Sequence, residues 1–176
     1  VGVKDILINT HYKADIVKKF VEDFSSQKGI SITVSHEKHL LGTAGTLETN
    51  KEWLNDGEKF FCVHVDNYTD VNLYNMLCQH NSRTLGCLIT LATFRTKSPE
   101  SCGIIKVDDK GIVTKFVEKP SSPEGNLANG AIYVMEKEVV NMIAKLPAGV
   151  KDISGDVLPL LINRMQSYEH NGHLID

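Results

Sequence analysis

Asp66 is the first residue whose setting suggests chemistry. It ends the run Phe60-Phe61-Cys62-Val63-His64-Val65, which starts after the polar stretch Asn55-Asp56-Gly57-Glu58-Lys59. A short apolar run between turn signals predicts a strand buried on both faces, as in a parallel sheet. Asp66 then stands at the carboxyl end of that strand, where open α/β sheets bind ligands. A carboxylate buried there alone is costly, but it can hold a cation. Asp66 therefore reads as a metal ligand in a nucleotide or phosphate site. It reads equally as a turn residue, or as the cap of a helix beginning near Val71.

Three further stretches carry candidates. Glu37 to Gly45 reads Glu-Lys-His-Leu-Leu-Gly-Thr-Ala-Gly. Its glycines let a ligand approach the backbone, and the helix that follows favours an anion at its start; a plain strand-to-helix connection is the alternative. In Glu118-Lys119-Pro120 the two charges would normally point to opposite faces of a strand. Pro120 ends the strand and can turn Lys119 back, so that Lys119 meets a phosphate and Glu118 a hydroxyl. The alternative is an exposed charged strand end. In Asn129-Gly130-Ala131 the glycine marks a bulge or a close ligand approach, and Asn129 can hydrogen-bond a sugar. His64 and Asp66 share a strand face, as in an iron site of two histidines and a carboxylate. That site belongs on all-β barrels, and His36-Glu37-Lys38-His39 lacks further ligands at zinc spacing.

The elements that must position these residues alternate. Ile6-Leu7-Ile8-Asn9 predicts a strand, Asp15 to Phe24 an amphipathic helix and Ile30 to Val34 a second strand, which together form a βαβ unit. Leu40 to Leu47 predicts a loop with two glycines, then a helix to about Leu54. Phe60 to Val65 is a strand, Val71 to His80 a helix and Thr84 to Thr93 a strand. Gly103–Asp108 and Ile112–Glu118 flank Asp109-Lys110-Gly111, a hairpin signal. Ala128 to Met135 is a strand, Lys137 to Leu146 a helix, Asp156 to Gln166 a helix around Pro159, and His173 to Ile175 a last strand. This order predicts an α/β fold, with a mostly parallel sheet and an antiparallel hairpin addition.

The 176 residues suffice for one domain with a real core. The whole of 1–176 reads as that domain, and its abrupt first and last strands suggest a chain cut at both ends. A net charge of −3 argues against a general nucleic-acid or anionic-membrane binder. No apolar run approaches the roughly 20 residues that span a bilayer, and no signal peptide is recognisable. Cys62, Cys78, Cys87 and Cys102 form no Cys-x-x-Cys pair and read as free thiols in a reducing, cytoplasmic setting.

Taken in order, these stretches are more specific than any one of them. Together they resemble the sugar-phosphate nucleotidyltransferases, most closely the guanylyltransferases acting on mannose 1-phosphate or heptose 1-phosphate. The resemblance runs from Ile6-Leu7-Ile8-Asn9-Thr10-His11-Tyr12 through Glu37, Leu41-Gly42-Thr43-Ala44-Gly45, Asp66-Asn67, Gly103-Ile104 and Phe116-Val117-Glu118-Lys119-Pro120. It continues through Asn129-Gly130-Ala131-Ile132-Tyr133 and Asp156-Val157-Leu158-Pro159-Leu160-Leu161 to Leu174-Ile175-Asp176.

The resemblance implies a Rossmann-like, three-layer nucleotide-diphospho-sugar transferase fold and nucleotidyl transfer to a sugar 1-phosphate. It implies that Asp66 and Asp176 hold Mg²⁺, Lys119 the sugar phosphate, and Gly103, Glu118 and Asn129 the sugar, with Gly42, Thr43, Ala44 and Gly45 lining the nucleoside pocket. Thymidylyl- and uridylyltransferases that resemble this chain tend to carry Gln at the Glu37 position. An ionised Glu37 accepts both donors on one edge of guanine, which favours GTP; a surface charge beside Lys38 is the alternative. The family's opening Gly-x-Gly-x-Arg-x-x-Pro loop, which grips the triphosphate, has no counterpart within residues 1–176. Three alternatives stay open: another nucleotide (uridylyl, thymidylyl or cytidylyl), a non-catalytic sugar-phosphate- or nucleotide-binding fragment without turnover of its own, and a structural subunit whose partner carries the active site. A homo-oligomer is compatible with the sequence, which names neither the sugar nor the oligomeric state.

Overall fold

The computed structural model describes residues 2–54, 57–147 and 149–175, with the side chains of 26–28 left aside. The first unit is the expected βαβ: β1 (Asp5–Thr10), α1 (Ala14–Lys28) and β2 (Ser31–His36), with β1 parallel to β2 in the register Asp5↔Ser31 to Thr10↔His36. Helix α1 ends at Gly29, whose left-handed backbone (φ 61) returns its N–H to the Ser25 carbonyl. Then follow α2 (Gly42–Thr49), α3 (Lys51–Leu54), β3 (Lys59–Val63), β4 (Tyr68–Thr69) and α4 (Leu73–Asn81). The second half holds β5 (Ile89–Arg95), β6 (Gly103–Val107), β7 (Val113–Glu118), β8 (Leu127–Glu136), α5 (Lys137–Ile143), β9 (Met165–Glu169) and β10 (Leu174–Ile175).

The main sheet runs β7-β6-β8-β5-β9, with β3 also paired to β8. Strand β8 is its axis because nearly every residue in it is apolar and finds a buried place. Ile132 and Val134 face α4, where Met76 is fully buried beside Ala92. Tyr133 and Met135 face the opposite way, against Leu47 of α2, Leu54 of α3 and Val139, Val140 and Ile143 of α5. This period-two alternation puts helices on both faces, which makes the three-layer α/β arrangement. Each of these large apolar side chains contributes roughly 1.5–3 kcal/mol by leaving water. No helix among the described residues is long and apolar enough to cross a membrane.

Several local expectations change. Strand β3 is antiparallel to β8, and the only parallel pair in the main sheet is β5–β9 among the described residues. Antiparallel pairing thus extends beyond the β6–β7 hairpin, because β8 meets β3, β5 and β6 all in the antiparallel sense. The glycines of Leu40 to Leu47 do not form a loop: Gly42 already begins α2. Helix α4 is capped by Asn72, which accepts from the Asn75 N–H at 2.9 Å, and not by Asp66.

Residues 156–166 are not one helix. Ile153–Val157 is a single π-turn and Leu158–Leu161 a 3₁₀ turn, and Asn163 in the left-handed region (φ 66) ends them. Met165-Gln166-Ser167-Tyr168-Glu169 is β9 instead. Its buried polar residues hid it from periodicity. Gln166 donates to the Lys110 carbonyl at 2.7 Å and accepts from the Thr84 N–H, and the Ser167 and Thr93 hydroxyls bond at 2.8 Å. The four cysteines are free. Burial pushes the Cys62 thiol up to about 12, so it stays protonated and unreactive at neutral pH.

Candidate active site

On one side of the site stands the start of α2. Glu37, just after β2, is only 5% exposed, which rules out a surface charge beside Lys38. Its Oε1 accepts from the Thr46 hydroxyl at 2.5 Å and from Asn9 Nδ2 at 3.4 Å, and its Oε2 from the Leu41 N–H at 3.3 Å. It thereby ties β1, the chain ahead of α2 and α2 itself together. Gly42 has φ +76, and a Cβ there would fall on the Lys151 carbonyl, so only glycine allows this approach. The Ala44 N–H donates to that same carbonyl at 2.9 Å. The Thr43 hydroxyl accepts from the Ile153 N–H at 2.7 Å and donates to Asp152 Oδ2 at 3.1 Å. Gly42, Thr43, Ala44 and Gly45 thus make the first turn of α2, braced on the segment 151–153.

The other side is built by the β6–β7 hairpin. Gly103 pairs with Glu118 across the ladder, and a Cβ on Gly103 would sit 2.7 Å from Glu118 Oε2. Absence of that Cβ lets the carboxylate lie across the strand. The Glu118 side chain hydrogen-bonds to no described residue. Desolvation against the sheet raises its carboxyl above the ordinary value, Lys119 opposes this and the charge of Asp152 adds to it. Lys119 has φ +44, and its N–H donates to the Cys102 carbonyl at 3.1 Å. A left-handed lysine ahead of a proline costs about 1–3 kcal/mol, and such strain collects where a side chain must be re-aimed. The turn expected at Pro120 is therefore made one residue earlier, by Lys119 itself.

The floor is the bulged part of β8. Ala131 is also left-handed (φ 51), beside the register shift between Leu91 and Thr93. Asn129 is locked there: its Oδ1 accepts from the Ala131 N–H at 3.2 Å, and its Nδ2 donates to the Tyr133 hydroxyl at 2.8 Å and to Ser154 Oγ at 3.3 Å. The bulge also holds the turn that carries Asp66. The His64 N–H donates to the Ala131 carbonyl at 3.4 Å, and Asn67 Nδ2 to the Gly130 carbonyl at 3.0 Å.

Asp66 is exposed and has no hydrogen bond or ion pair with a described residue. Its neighbour's oxygen, Asn67 Oδ1, is buried and has no partner among the described residues. Oxygens that the described residues leave unused suit a hard cation such as Mg²⁺, which keeps several waters and needs few protein ligands. The second expected ligand, Asp176, lies outside the described residues. Strand β10, just before it, pairs with β4, just after Asp66, in the register Ile175↔Tyr68. Among the described residues no group of three or more His, Cys, Asp or Glu is arranged to hold a metal.

Two acids that tie distant segments together beside these candidates escaped the sequence reading. Asp152 caps the π-turn by accepting from the Gly155 N–H at 2.7 Å, besides its bond to Thr43; an Asp ahead of a turn was the available signal. Asp70 Oδ1 accepts from His170 Nε2 and from the His173 N–H, both at 2.7 Å, and so pins the chain entering β10. The His170 bond draws its carboxyl below the ordinary value. No local pattern announces a pair a hundred residues apart.

The family described as Nucleotidyl transferase matches residues 1–173, nearly the whole chain. The chain belongs to the nucleotidyl transferase family. Among its relatives is the mannose-1-phosphate guanylyltransferase catalytic subunit beta of Dictyostelium discoideum, 28% identical over 96% of this chain and 46% of that protein. Mannose-1-phosphate guanylyltransferase 1 of Arabidopsis thaliana is 32% identical over 86% of this chain and 42% of its own length. The chain thus spans less than half the length of these curated relatives. The crystal structure of HddC from Yersinia pseudotuberculosis complexed with GMP-PN superposes with a TM-score of 0.77 at 20% identity, covering 99% of this chain and 73% of that one. This nucleotidyl transferase therefore shares its fold with HddC.

Proposed function

We propose that this nucleotidyl transferase moves GMP from GTP to a sugar 1-phosphate of the mannose or heptose type and releases pyrophosphate. The observation that carries the reading is the strained, left-handed Lys119 next to Glu118, a carboxylate that bonds to no described residue and feels the charge of Asp152, the same acid that accepts from Thr43 in the first turn of α2. A phosphate oxygen of the sugar 1-phosphate attacks the α-phosphorus in line, the bond to the bridging oxygen breaks and pyrophosphate leaves with the electron pair. The attacking phosphate is already ionised, so no strong general base is needed, and catalysis rests on positioning and charge neutralisation. Lys119 aligns the nucleophilic phosphate, and Glu118 accepts hydrogen bonds from sugar hydroxyls, with Gly103 giving them room. Asp66 and Asp176 would hold Mg²⁺, which would supply charge neutralisation to the reacting phosphates.

The preference for GTP rests on Glu37. Its oxygens already serve Thr46, Asn9 and Leu41, so guanine's N1–H and N2 amino group reach it through its remaining lone pairs or replace one of those donors. A pyrophosphate-release assay on the full-length protein, with mannose 1-phosphate and each of GTP, UTP, dTTP and CTP, tests the reading. Release is expected with GTP at least ~10-fold above the others. Release with another nucleotide would reassign the base, and binding without release would make this a nucleotide-binding unit.

A further inference from the structure

The segment Lys151–Asp156 touches both halves of the site. At one end it meets α2: the Lys151 carbonyl accepts from the Ala44 N–H, the Ile153 N–H donates to Thr43 Oγ1, and Thr43 Oγ1 donates to Asp152 Oδ2. At the other end it meets β8: Ser154 Oγ accepts from Asn129 Nδ2, which also bonds the Tyr133 hydroxyl. Asp156 holds the segment taut between them, since its Oδ2 accepts from the Lys151 and Asp152 N–H groups at 2.9 and 3.0 Å. Asp152 is the shared member. Its Oδ1 caps the turn that carries Ser154 through the Gly155 N–H, and its Oδ2 accepts a hydrogen bond from the Thr43 hydroxyl of α2. Its charge also acts on Glu118.

We propose that Asp152 is a positioning residue that latches the nucleoside half of the site to the sugar half, so that binding of one substrate organises the site for the other. The latch rests on the functional reading above, which places Thr43 beside the nucleoside and Asn129 beside the sugar. When Thr43 shifts to admit a nucleoside, its hydroxyl pulls on Asp152 Oδ2, and the π-turn moves Ser154 and with it the amide of Asn129. Two sites joined through one hydrogen-bonded element share a coupling free energy, and that coupling is reciprocal. The acid is suited to this place because a carboxylate can accept from Thr43 and Gly155 at once. An asparagine keeps the cap to Gly155, but its NH₂ cannot accept from the Thr43 hydroxyl, so the hydrogen bond that Thr43 donates to the segment is lost.

The test is calorimetric titration of the full-length protein with a non-hydrolysable GTP analogue, in the absence and presence of saturating mannose 1-phosphate. Wild type is expected to bind the analogue at least ~5-fold tighter when the sugar phosphate is present. In Asp152→Asn each ligand alone still binds, and that factor falls to about one. Thr43→Val, which deletes the hydroxyl from the other side, loses the same factor, and the double variant loses no more than either single one. Unchanged coupling in Asp152→Asn, or a wild type that binds both ligands independently, overturns the latch while leaving the functional reading in place. A wild type that does not bind the analogue at all overturns the functional reading and the latch together. Should Asp152→Asn fail to fold by circular dichroism, Thr43→Val decides alone.

Discussion

At the scale of single residues, Asp66 and Glu118 are left unsatisfied by the described residues and Lys119 is strained, whereas Glu37, Thr43 and Asn129 are held by hydrogen bonds. Asp66 bonds to nothing described, so Asp66→Asn should leave stability within about 0.5 kcal/mol of wild type while pyrophosphate release disappears. Thermal unfolding beside the release assay checks this, and wild-type-like rates would remove Asp66 from the mechanism. Gly103 matters for what it lacks. Gly103→Ala puts a methyl 2.7 Å from Glu118 Oε2 and 2.8 Å from the ring of buried Phe116. The expected cost is about 1–3 kcal/mol of stability, with at least a ~10-fold fall in kcat/KM for the sugar phosphate as Glu118 is displaced. A variant that folds with unchanged kcat/KM would take Glu118 out of sugar recognition.

At the scale of elements, the contact between α2 and the segment 151–153 decides the shape of the cleft. It is a backbone-on-backbone contact, and only Gly42 permits it. Gly42→Ala meets both a left-handed φ and the Lys151 carbonyl, and should cost about 2–4 kcal/mol in urea denaturation. A neutral outcome would mean that α2 can back away from the segment, and that its bracing is not tight. The same contact explains why the glycine-rich stretch looked like a loop. Two glycines in four residues weaken helix propensity, but Glu37 supplies acceptors to Leu41 and Thr46 and Lys151 accepts from Ala44, so tertiary partners complete the helix start.

At the scale of the whole molecule, the two faces of the main sheet are secured differently. Helix α4 is held in part by a buried polar network: His80 is fully buried, its Nε2–H donates to Glu136 Oε1 at 3.0 Å and its Nδ1 accepts from the Thr90 hydroxyl at 2.8 Å. Arg83 donates to the same Glu136 oxygen at 2.7 Å. Burial, aided by the charge of Arg83 and opposed by Glu136, lowers the His80 pKa from 6.5 to about 4. The unfolded chain then takes up a proton that the folded one refuses between those two values. Stability should therefore fall as pH drops from about 6.5 toward 4, by up to about 1.4 kcal/mol per pH unit from this group, and level off below. Urea midpoints of wild type and His80→Gln at pH 7, 5.5 and 4.5 test it, and parallel profiles would show that His80 does not supply the slope. By itself the sequence determined the α/β class, the β6–β7 hairpin, β8 as a strand and the family, because apolar periodicity, turn residues and a family pattern are local signals. Only the tertiary structure decided that β3 runs antiparallel to β8, that residues 165–169 are a strand, and that Asp152 and Asp70 tie distant segments to the site. Those outcomes depend on which partner satisfies a backbone or a carboxylate across a hundred residues, and no window of sequence contains both partners.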